Sequence, residues 1–344
     1  MNKGLETKGN AVAGRTAAAD RLGVLLVNLG TPSAPTSAAV RRFLAEFLSD
    51  PRVVDYPRLL WLPILYGLVL TVRPPKTARS YAKVWRTDTD ESPLRYFTRR
   101  QAENLRASIG DHARVDWAMR YGAPSIAERL AAFREEGVDR VLVVPLYPQY
   151  SKTTTASVED AVAAALRSLQ WAPKVKTAGP FFAEPAYIEA LAAQARASFA
   201  ALEATPESVV LSFHGLPRRL VDAGDPYLDQ CKNTAAALRT VLGWSERFAP
   251  IAFQSRFGRE EWLSPSTEET LLRLAREGAR RVAVMTPGFV ADCLETLEEI
   301  AIAGREAFLA AGGETFTAIP CLNDAPATTS LLQKILARET ADWS

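Results

Sequence analysis

Two segments of the sequence place proton-accepting side chains where an apolar run ends. His214 follows the run Val209–Phe213 and precedes Gly215, so it is predicted to lie at the carboxyl end of a strand. An imidazole, whose pKa is near neutrality, can accept a proton or bind a metal ion. Taken alone, the position suits a structural histidine equally well.

An acidic segment follows a second apolar run, Val282–Thr286. Glu295 and Glu299 are four residues apart, so on a helix they share one face. Such a carboxylate pair can attract a cation or carry protons away. A structural alternative exists for Glu295, because Asp292 and Glu295 have the spacing of a helix capping box. Cys293 is either a soft metal ligand or a small buried residue.

Aromatic, hydroxyl and basic side chains follow two further apolar runs. Tyr147–Ser151 follows one of them, and Arg120 and Tyr121 follow the other. At the rim of an apolar pocket these groups suit an apolar ligand that carries carboxylates. His112, the only other histidine, lies in a polar segment and is predicted to be a solvated loop residue.

The elements that position these residues alternate between strand-length apolar runs and amphipathic helices. Near-continuous valine and leucine runs are typical of parallel strands buried on both faces, so the fold class is α/β. Ligands of open parallel sheets lie beyond the carboxyl ends of the strands. The predicted strands are Gly23–Leu29, Arg114–Met119, Arg140–Leu146, Ser208–Phe213, Phe248–Phe253, Arg281–Thr286 and Thr315–Ile319. The predicted helices are Ser125–Glu135, Ser157–Leu169, Ala186–Leu202, Pro226–Leu242, Ser266–Glu277, Cys293–Ala310 and Thr328–Arg338.

The strand–helix pattern occurs twice, over about residues 21–180 and about 205–320, which agrees with the roughly two domains expected at this length. Ala172–Ala183 is the predicted linker. Residues 1–20 lack an apolar core segment, so they are predicted to be a disordered lead-in rather than a secretory signal. The sequence has no G-x-G-x-x-G motif after its first predicted strand and no G-x-x-x-x-G-K-[ST] motif. The α/β pattern therefore does not predict binding of a dinucleotide or a nucleoside triphosphate.

Composition excludes several classes of protein. Hydrophobic residues make up 48% and charged residues 23% of the 344 residues, which excludes disordered, collagen-like and coiled-coil proteins. The 41 Lys and Arg against 39 Asp and Glu give a net charge of +2, so no global field favours nucleic acid. Cys231, Cys293 and Cys321 are dispersed, which argues against a disulfide framework or a four-thiolate metal site and for a reducing cytoplasm.

One apolar segment, Leu59–Val72, raises the question of a membrane. It is shorter than the roughly 20 residues that a spanning helix needs, and Pro63 and Gly67 interrupt it. It is either a buried helix or an exposed apolar lip. Its basic flanks, Arg58 and Arg73, favour contact with a membrane surface.

A series of short motifs runs along the chain in a fixed order. They are Val27–Pro32, Met119–Gly122, Tyr147–Ser151, Ser212–Pro217, Gly224–Tyr227, Phe253–Gly258, Trp262–Leu263, and Pro287–Phe289 with Asp292–Leu297. Together they resemble the ferrochelatase family over about residues 21–325.

The resemblance implies two Rossmann-like lobes, each a parallel sheet flanked by helices, with the active-site cleft between them. The N-terminal lobe would span residues 21–180 and the C-terminal lobe residues 181–325, with a helix in residues 326–344 packing on the N-terminal lobe. The implied reaction inserts Fe(II) into protoporphyrin IX with release of two protons, the terminal step of heme synthesis.

The resemblance also implies roles for single residues. His214 and Glu295 would be the catalytic residues and the metal ligands, facing each other across the macrocycle. Glu299 would lie on a path for protons or cations. The positions implied to bind the porphyrin are Leu29, Arg73, Tyr81, Ser92, Arg120, Tyr121, Trp262 and Phe289.

The implied partners are protoporphyrin IX and Fe(II) as substrates, with no permanently bound cofactor and no nucleic acid. The enzyme would be cytoplasmic and would contact the membrane surface through a lip near Leu59–Leu70. Cys293 stands where many members have histidine, in a form similar to proteobacterial members. A [2Fe–2S] cluster is not expected, because Lys152 replaces one cysteine ligand of the animal type and no cysteine follows Cys321.

Three alternatives remain at this point. Members that act on coproporphyrin commonly carry tyrosine where this chain has Leu29, which favours protoporphyrin. Cobalt-inserting relatives share the fold but differ in these motifs. A non-catalytic tetrapyrrole carrier would need the pocket but neither His214 nor Glu295.

Overall fold

The computed structural model describes residues 21–258 and 260–343, in which two four-stranded parallel sheets form. The first has the strand order β2-β1-β3-β4 and the second the order β6-β5-β7-β8. The strands are β1 (Leu22–Gly30), β2 (Arg114–Tyr121), β3 (Arg140–Pro145), β4 (Lys174–Thr177), β5 (Ser208–His214), β6 (Ile251–Gln254), β7 (Arg281–Met285) and β8 (Thr315–Ala318). The predicted α/β class is confirmed. The predicted lead-in, residues 1–20, lies outside the described residues.

Helices connect and flank the strands throughout the described part of the chain. They are α1 (Ser37–Ser49), α2 (Arg58–Ile64), α3 (Leu70–Val84), α4 (Pro93–Ile109), α5 (Ile126–Glu135), α6 (Thr155–Leu169), α7 (Pro185–Ala200), α8 (Arg218–Asp222), α9 (Tyr227–Leu242), α10 (Thr267–Arg276), α11 (Arg305–Ala310) and α12 (Pro326–Thr340). Leu65–Val69 and Glu295–Gly304 are π-helical, and Gly110–His112 and Ala341–Trp343 are short 3₁₀ turns.

Strand β1 shows why continuous apolar runs indicate these sheets. Successive side chains of a strand point to opposite faces. Leu25 and Val27 pack in one cluster with residues of α5, whereas Val24 and Leu26 pack in another with residues of α4. Both faces of the strand are therefore buried. For this reason the strand reads as a continuous apolar run rather than as alternating apolar and polar residues.

The two sheets share one core. Val24 and Leu26 of β1 belong to the same apolar cluster as Val209 and Leu211 of β5, with α7, α9 and α12 between them. Helix α12 and the turn after it pack on the N-terminal half, where Lys176 contacts the Glu339 carboxylate at 3.3 Å. The sheets are thus fixed relative to each other by apolar packing.

The structure adds helices α1 to α4, which the sequence analysis did not predict, and two of the predicted elements differ from those observed. The predicted linker Ala172–Ala183 contains the edge strand β4, which is partly exposed and reads Lys-Val-Lys-Thr. An edge strand of this kind has no continuous apolar run to reveal it. The predicted helix Cys293–Ala310 begins at Glu295, and its first ten residues are π-helical.

The segment Leu59–Val72 is an exposed lip rather than a buried helix. Leu59, Leu60 and Leu68 are 92%, 66% and 60% exposed, whereas Leu65 is fully buried beneath them. No helix in residues 21–258 and 260–343 has the length and apolarity to cross a membrane. We refer to residues 58–72 as the lip.

Candidate active site

The carboxyl ends of the two sheets lie against each other. Leu29, near the end of β1, packs in one apolar group with Phe289 and Cys293, which follow β7. Glycine is required at the end of β1, because a Cβ at Gly30 would lie 1.9 Å from the Tyr121 carbonyl oxygen and φ is +122°. Ligands of parallel sheets are expected at this edge, so the edge where both sheets end is the candidate site, and we refer to it as the cleft.

His214 is the last residue of β5 and is half-buried at this edge. Its Nδ1 lies 2.6 Å from the Gly215 carbonyl oxygen. A carbonyl oxygen can only accept a hydrogen bond, so Nδ1 carries the proton and Nε2 is the basic nitrogen. The Phe289 ring lies 6.4 Å from the imidazole between ring centroids. In the neutral ring, this hydrogen bond leaves Nε2 as the nitrogen that can accept a proton.

The acidic residues lie on the π-helical segment Glu295–Gly304, a form that is rare and frequent at functional sites. The Gln254 side chain donates to the Glu295 carbonyl oxygen at 3.0 Å. The Ser255 backbone N–H donates to Glu299 Oε1 at 2.6 Å, and the Ser255 hydroxyl bonds the other oxygen. Because Gln254 pairs with His214 in the sheet, these bonds bring the carboxylates to the imidazole.

The capping-box alternative for Glu295 is wrong. The Asp292 backbone N–H donates to Asn323 Oδ1 at 2.8 Å, and Asp292 Oδ1 accepts from the Thr296 hydroxyl at 2.8 Å. Thr296, not Glu295, therefore pairs with Asp292. The Glu295 carboxylate does not cap the helix, and it lies beside the Cys293 thiol and near the Tyr81 phenol.

Burial raises the pKa of the Glu299 carboxyl, and the charge of Glu295 raises it further, whereas the Ser255 hydrogen bonds and His214 oppose the shift. The shift means that the folded protein holds this proton more tightly than the unfolded chain does. The contribution of Glu299 to stability is therefore present below the ordinary glutamate pKa and is lost as the pH rises through the raised pKa. Glu299 is suited to hold and pass a proton.

Glu299→Gln is therefore expected to stabilise the protein at high pH. Glutamine keeps the shape and cannot ionise, and its amide can donate to the Ser255 hydroxyl, which is able to accept. The thermal midpoint of the variant should exceed that of the wild type by on the order of 2 °C at pH 8, and by less at pH 5. Thermal unfolding at both pH values measures this, and a variant that is equally less stable at both would contradict it.

The N-terminal half supplies the opposite wall. Tyr81 of α3 is buried; burial raises the pKa of its phenol well above the usual value, and the nearby Glu295 carboxylate raises it further. Lys83 Nζ pairs with Glu298 at 2.8 Å. The Arg73 guanidinium lies 4.6 Å from the centroid of the Phe257 ring, which in turn packs edge-on against Trp262 at 6.0 Å. Helix α3 of the N-terminal half therefore contacts the C-terminal half at two places, Glu298 and Phe257.

Three of the residues implied to bind porphyrin lie in buried contacts. Arg120 and the Tyr121 hydroxyl both donate to the Asp50 carboxylate, at 2.6 and 2.8 Å. Ser92 is 1% exposed and caps α4 by accepting the Arg95 N–H. The porphyrin-binding role of all eight residues stays a prediction. Among the other five, Leu29 and Phe289 share one apolar group, Arg73 and Trp262 both contact Phe257, and Tyr81 lies near Glu295.

The Cys293 side chain is buried in the apolar core rather than exposed to the cleft. It is 4% exposed in the apolar group of Leu29 and Phe289. Burial raises the pKa of its thiol well above the usual value, and the neighbouring Glu295 carboxylate raises it further. A protonated thiol is a poor metal ligand.

Cys293→Ala is accordingly expected to keep most of the activity, with turnover within about tenfold of the wild type, a change of roughly 1.4 kcal/mol in the barrier. Steady-state turnover measures this. A larger loss would make the thiol a participant in the reaction.

No group of three or more His, Cys, Asp or Glu side chains within the described ranges is arranged to hold a metal ion.

Gln254 and Ser255 are the site residues that sequence reasoning did not single out. Their signal was present, because both lie in the motif Phe253–Gly258 directly after a strand. Ser255 has φ +65°, a conformation that non-glycine residues rarely adopt and that often marks functional sites.

Comparison with known proteins identifies relatives along nearly the whole chain. The protein-family model Ferrochelatase matches residues 21–340. The chain is 51% identical to ferrochelatase of Methylocella silvestris, covering 95% of this chain and 96% of the relative. It is 52% identical to ferrochelatase of Azoarcus sp. strain BH72, covering 94% of this chain and 89% of the relative.

Solved structures support the fold. SirB from Bacillus subtilis with Fe³⁺ superposes with a TM-score of 0.56 at 11% identity, over 94% of this chain and 98% of that one. The sirohydrochlorin chelatase SirB in complex with cobalt gives a TM-score of 0.54 at 11% identity, over 93% and 95% of the two chains. These likenesses concern the two-lobed architecture alone.

Proposed function

This chain belongs to the ferrochelatase family, a family of metal chelatases of heme synthesis, and we propose that it inserts Fe(II) into protoporphyrin IX in the cleft at His214. One observation carries this proposal: the His214 imidazole, with Nδ1 bonded to a backbone carbonyl, stands beside the acidic residues Glu295 and Glu299 at the edge where both sheets end. The reaction exchanges one Fe(II) for the two pyrrole N–H protons of the porphyrin.

The proton chemistry assigns a role to each group. Nε2 of His214 accepts a pyrrole proton as general base. The carboxylates of Glu295 and Glu299 balance the charge of the arriving cation and take protons onward, Glu299 through its raised pKa. Glu295 and His214 would bind the iron before the four pyrrole nitrogens do, and His214 would release it before Nε2 takes up a pyrrole proton, because one lone pair cannot hold both.

The walls of the cleft suit a flat apolar ring. Leu29 and Phe289 offer an apolar surface, and Arg73 offers a cation for a carboxylate of the porphyrin. Planar porphyrin resists metal entry, and binding energy on the order of 1–5 kcal/mol can bend the ring and expose its nitrogens.

The substrate is tested by anaerobic incubation with Fe(II) and either protoporphyrin IX or coproporphyrin III, following the loss of porphyrin fluorescence. Leu29 predicts faster metallation of protoporphyrin IX. Preference for coproporphyrin III, or cobalt insertion without iron insertion, would overturn the assignment. Binding without metallation of any porphyrin would identify a carrier instead.

We further propose that the enzyme works without a resident cofactor and in the cytoplasm, at the membrane surface. Three dispersed cysteines, all buried and unpaired, do not supply the four ligands of an iron–sulfur cluster. The lip exposes Leu59, Leu60 and Leu68, and Arg58 and Lys76 flank them. A helix of this kind lies in the interface of a membrane rather than across it.

Replacing Leu59 and Leu60 together by glutamine is expected to weaken binding to anionic vesicles by at least about tenfold, or ~1.4 kcal/mol, because full burial of even one leucine contributes roughly 1.5–3 kcal/mol. Vesicle co-sedimentation measures this. Stability should be unchanged, since both side chains are exposed. A substitution at Leu65 would not serve, because that residue is fully buried. Equal vesicle binding by the variant and the wild type would show that the lip does not contact the membrane.

A further inference from the structure

The segment Tyr147–Ser151 joins the two halves of the chain. Gln149 and Ser151 are each 2% exposed. The Ser151 hydroxyl and the Lys152 backbone N–H both donate to the Asp225 carboxylate, at 2.9 and 2.7 Å. Asp225 is thus anchored to the loop that follows β3.

Asp225 in turn holds Tyr227. Its second oxygen accepts the Tyr227 backbone N–H at 3.0 Å, in the first turn of α9, where a carboxylate is favoured by the helix dipole. The Tyr227 side chain is buried, and its hydroxyl donates to the His214 carbonyl oxygen at 3.0 Å. A chain of hydrogen bonds therefore runs from the N-terminal sheet to the backbone of His214.

The peptide between His214 and Gly215 is held at both ends. Its carbonyl accepts from Tyr227, and its N–H donates to the Gln254 carbonyl oxygen at 2.7 Å. The backbones are so close that a Cβ at Gly215 would lie 2.6 Å from the Gln254 oxygen. The next carbonyl, that of Gly215, accepts the imidazole Nδ1–H. The peptide between His214 and Gly215 therefore helps to set the direction of the Gly215 carbonyl. That carbonyl in turn orients the imidazole ring of His214.

We propose that Tyr227 is a positioning residue for His214, whose hydroxyl fixes the peptide that keeps the imidazole in its Nδ1–H form with Nε2 open as the base. The inference rests on the proposed role of His214. Groups behind a functional histidine commonly set its tautomer and orientation in this way. Because Asp225 bonds both Tyr227 and the loop at Ser151 and Lys152, the orientation of His214 depends on contacts from both halves of the chain.

The test uses Tyr227→Phe, which removes only the hydroxyl, and Tyr187→Phe as its matched control. Tyr187 is equally buried, and its hydroxyl also donates to a backbone carbonyl, that of Pro287, at 3.1 Å. The Pro287 oxygen keeps a second donor in Gln149. Both variants should lose thermal stability, but only Tyr227→Phe should lower kcat, by on the order of 10–100-fold, with KM for protoporphyrin IX within about twofold of the wild-type value.

A spectroscopic readout separates positioning from stability. His112 and His214 are the only histidines, so ¹⁵N-histidine NMR at a pH where both are neutral reports each ring. In Tyr227→Phe the ring nitrogens of His214 should change from one tautomer to a mixture, while His112 is unchanged. An unchanged His214 signal, or an unchanged kcat, would overturn the inference. If His214→Ala is itself active, the proposed function fails instead, so the two failures are distinguishable.

Discussion

Replacing His214 with alanine is expected to lower the rate of Fe(II) insertion by about 10²–10⁴-fold, which is the usual loss when a positioned general base is removed. The fold should survive, because the side chain is half-buried beyond the end of β5 and contributes little to the core. Anaerobic metallation assays and thermal unfolding measure the two effects.

The matched control is His112→Ala. His112 is exposed in the short turn Gly110–His112, which precedes the amino end of β2, whereas the cleft lies at the carboxyl ends of the strands, so its loss should leave turnover unchanged. A His214→Ala enzyme with wild-type turnover would defeat the assignment of the base.

Glu295→Gln is expected to cost about 10²-fold in turnover with little change in the thermal midpoint. The substitution keeps the shape and the backbone bond from Gln254, and it removes the charge beside Cys293 and Tyr81. Because Thr296 takes the bond to Asp292 that a capping box would give to Glu295, no cap is lost.

Glu298→Gln provides the comparison on the same π-helical segment. It removes the ion pair with Lys83, whose side chain is 52% exposed, and exposed pairs of this kind contribute about 0–1 kcal/mol to stability. Its turnover should stay within about threefold of the wild type. Full activity in Glu295→Gln, or an equal loss in both variants, would show that the charge at Glu295 is not specifically required.

The sequence predicts the sheets because their physical signature is local. Strands β1, β3 and β5 are buried on both faces, so each is a continuous apolar run. The edge strand β4 is partly exposed and alternates lysine with smaller residues, which leaves no such run. The lip likewise has no local pattern that separates exposed from buried residues. Leu59 is exposed and Leu65 is buried, although they are the same residue type six positions apart. The difference arises because Leu65 packs against α1 and α3.

The site is predictable where it depends on a strand end, as for His214, and not where it depends on distant contacts. The bonds between Ser255 and Glu299 join residues 44 positions apart, and no local pattern announces them. The π-helical turn that carries Glu299 is likewise hidden, because its sequence has the periodicity of an ordinary amphipathic helix. Arg120 shows the opposite error. The sequence suggests that its guanidinium is available to a ligand carboxylate, but in the folded chain it pairs with Asp50, 70 positions away.

The central claim is that His214 moves protons during metal insertion, and single-turnover metallation of a preformed complex tests it most directly. Wild-type protein and His214→Ala are each saturated with protoporphyrin IX without oxygen, and Fe(II) is then added by rapid mixing while porphyrin fluorescence is followed. Both should bind the porphyrin with similar affinity, because the apolar walls are unchanged. The wild-type complex should lose its fluorescence in a single turnover, and the variant complex should keep it over the same time. Loss of fluorescence at the same rate in both complexes would contradict the account.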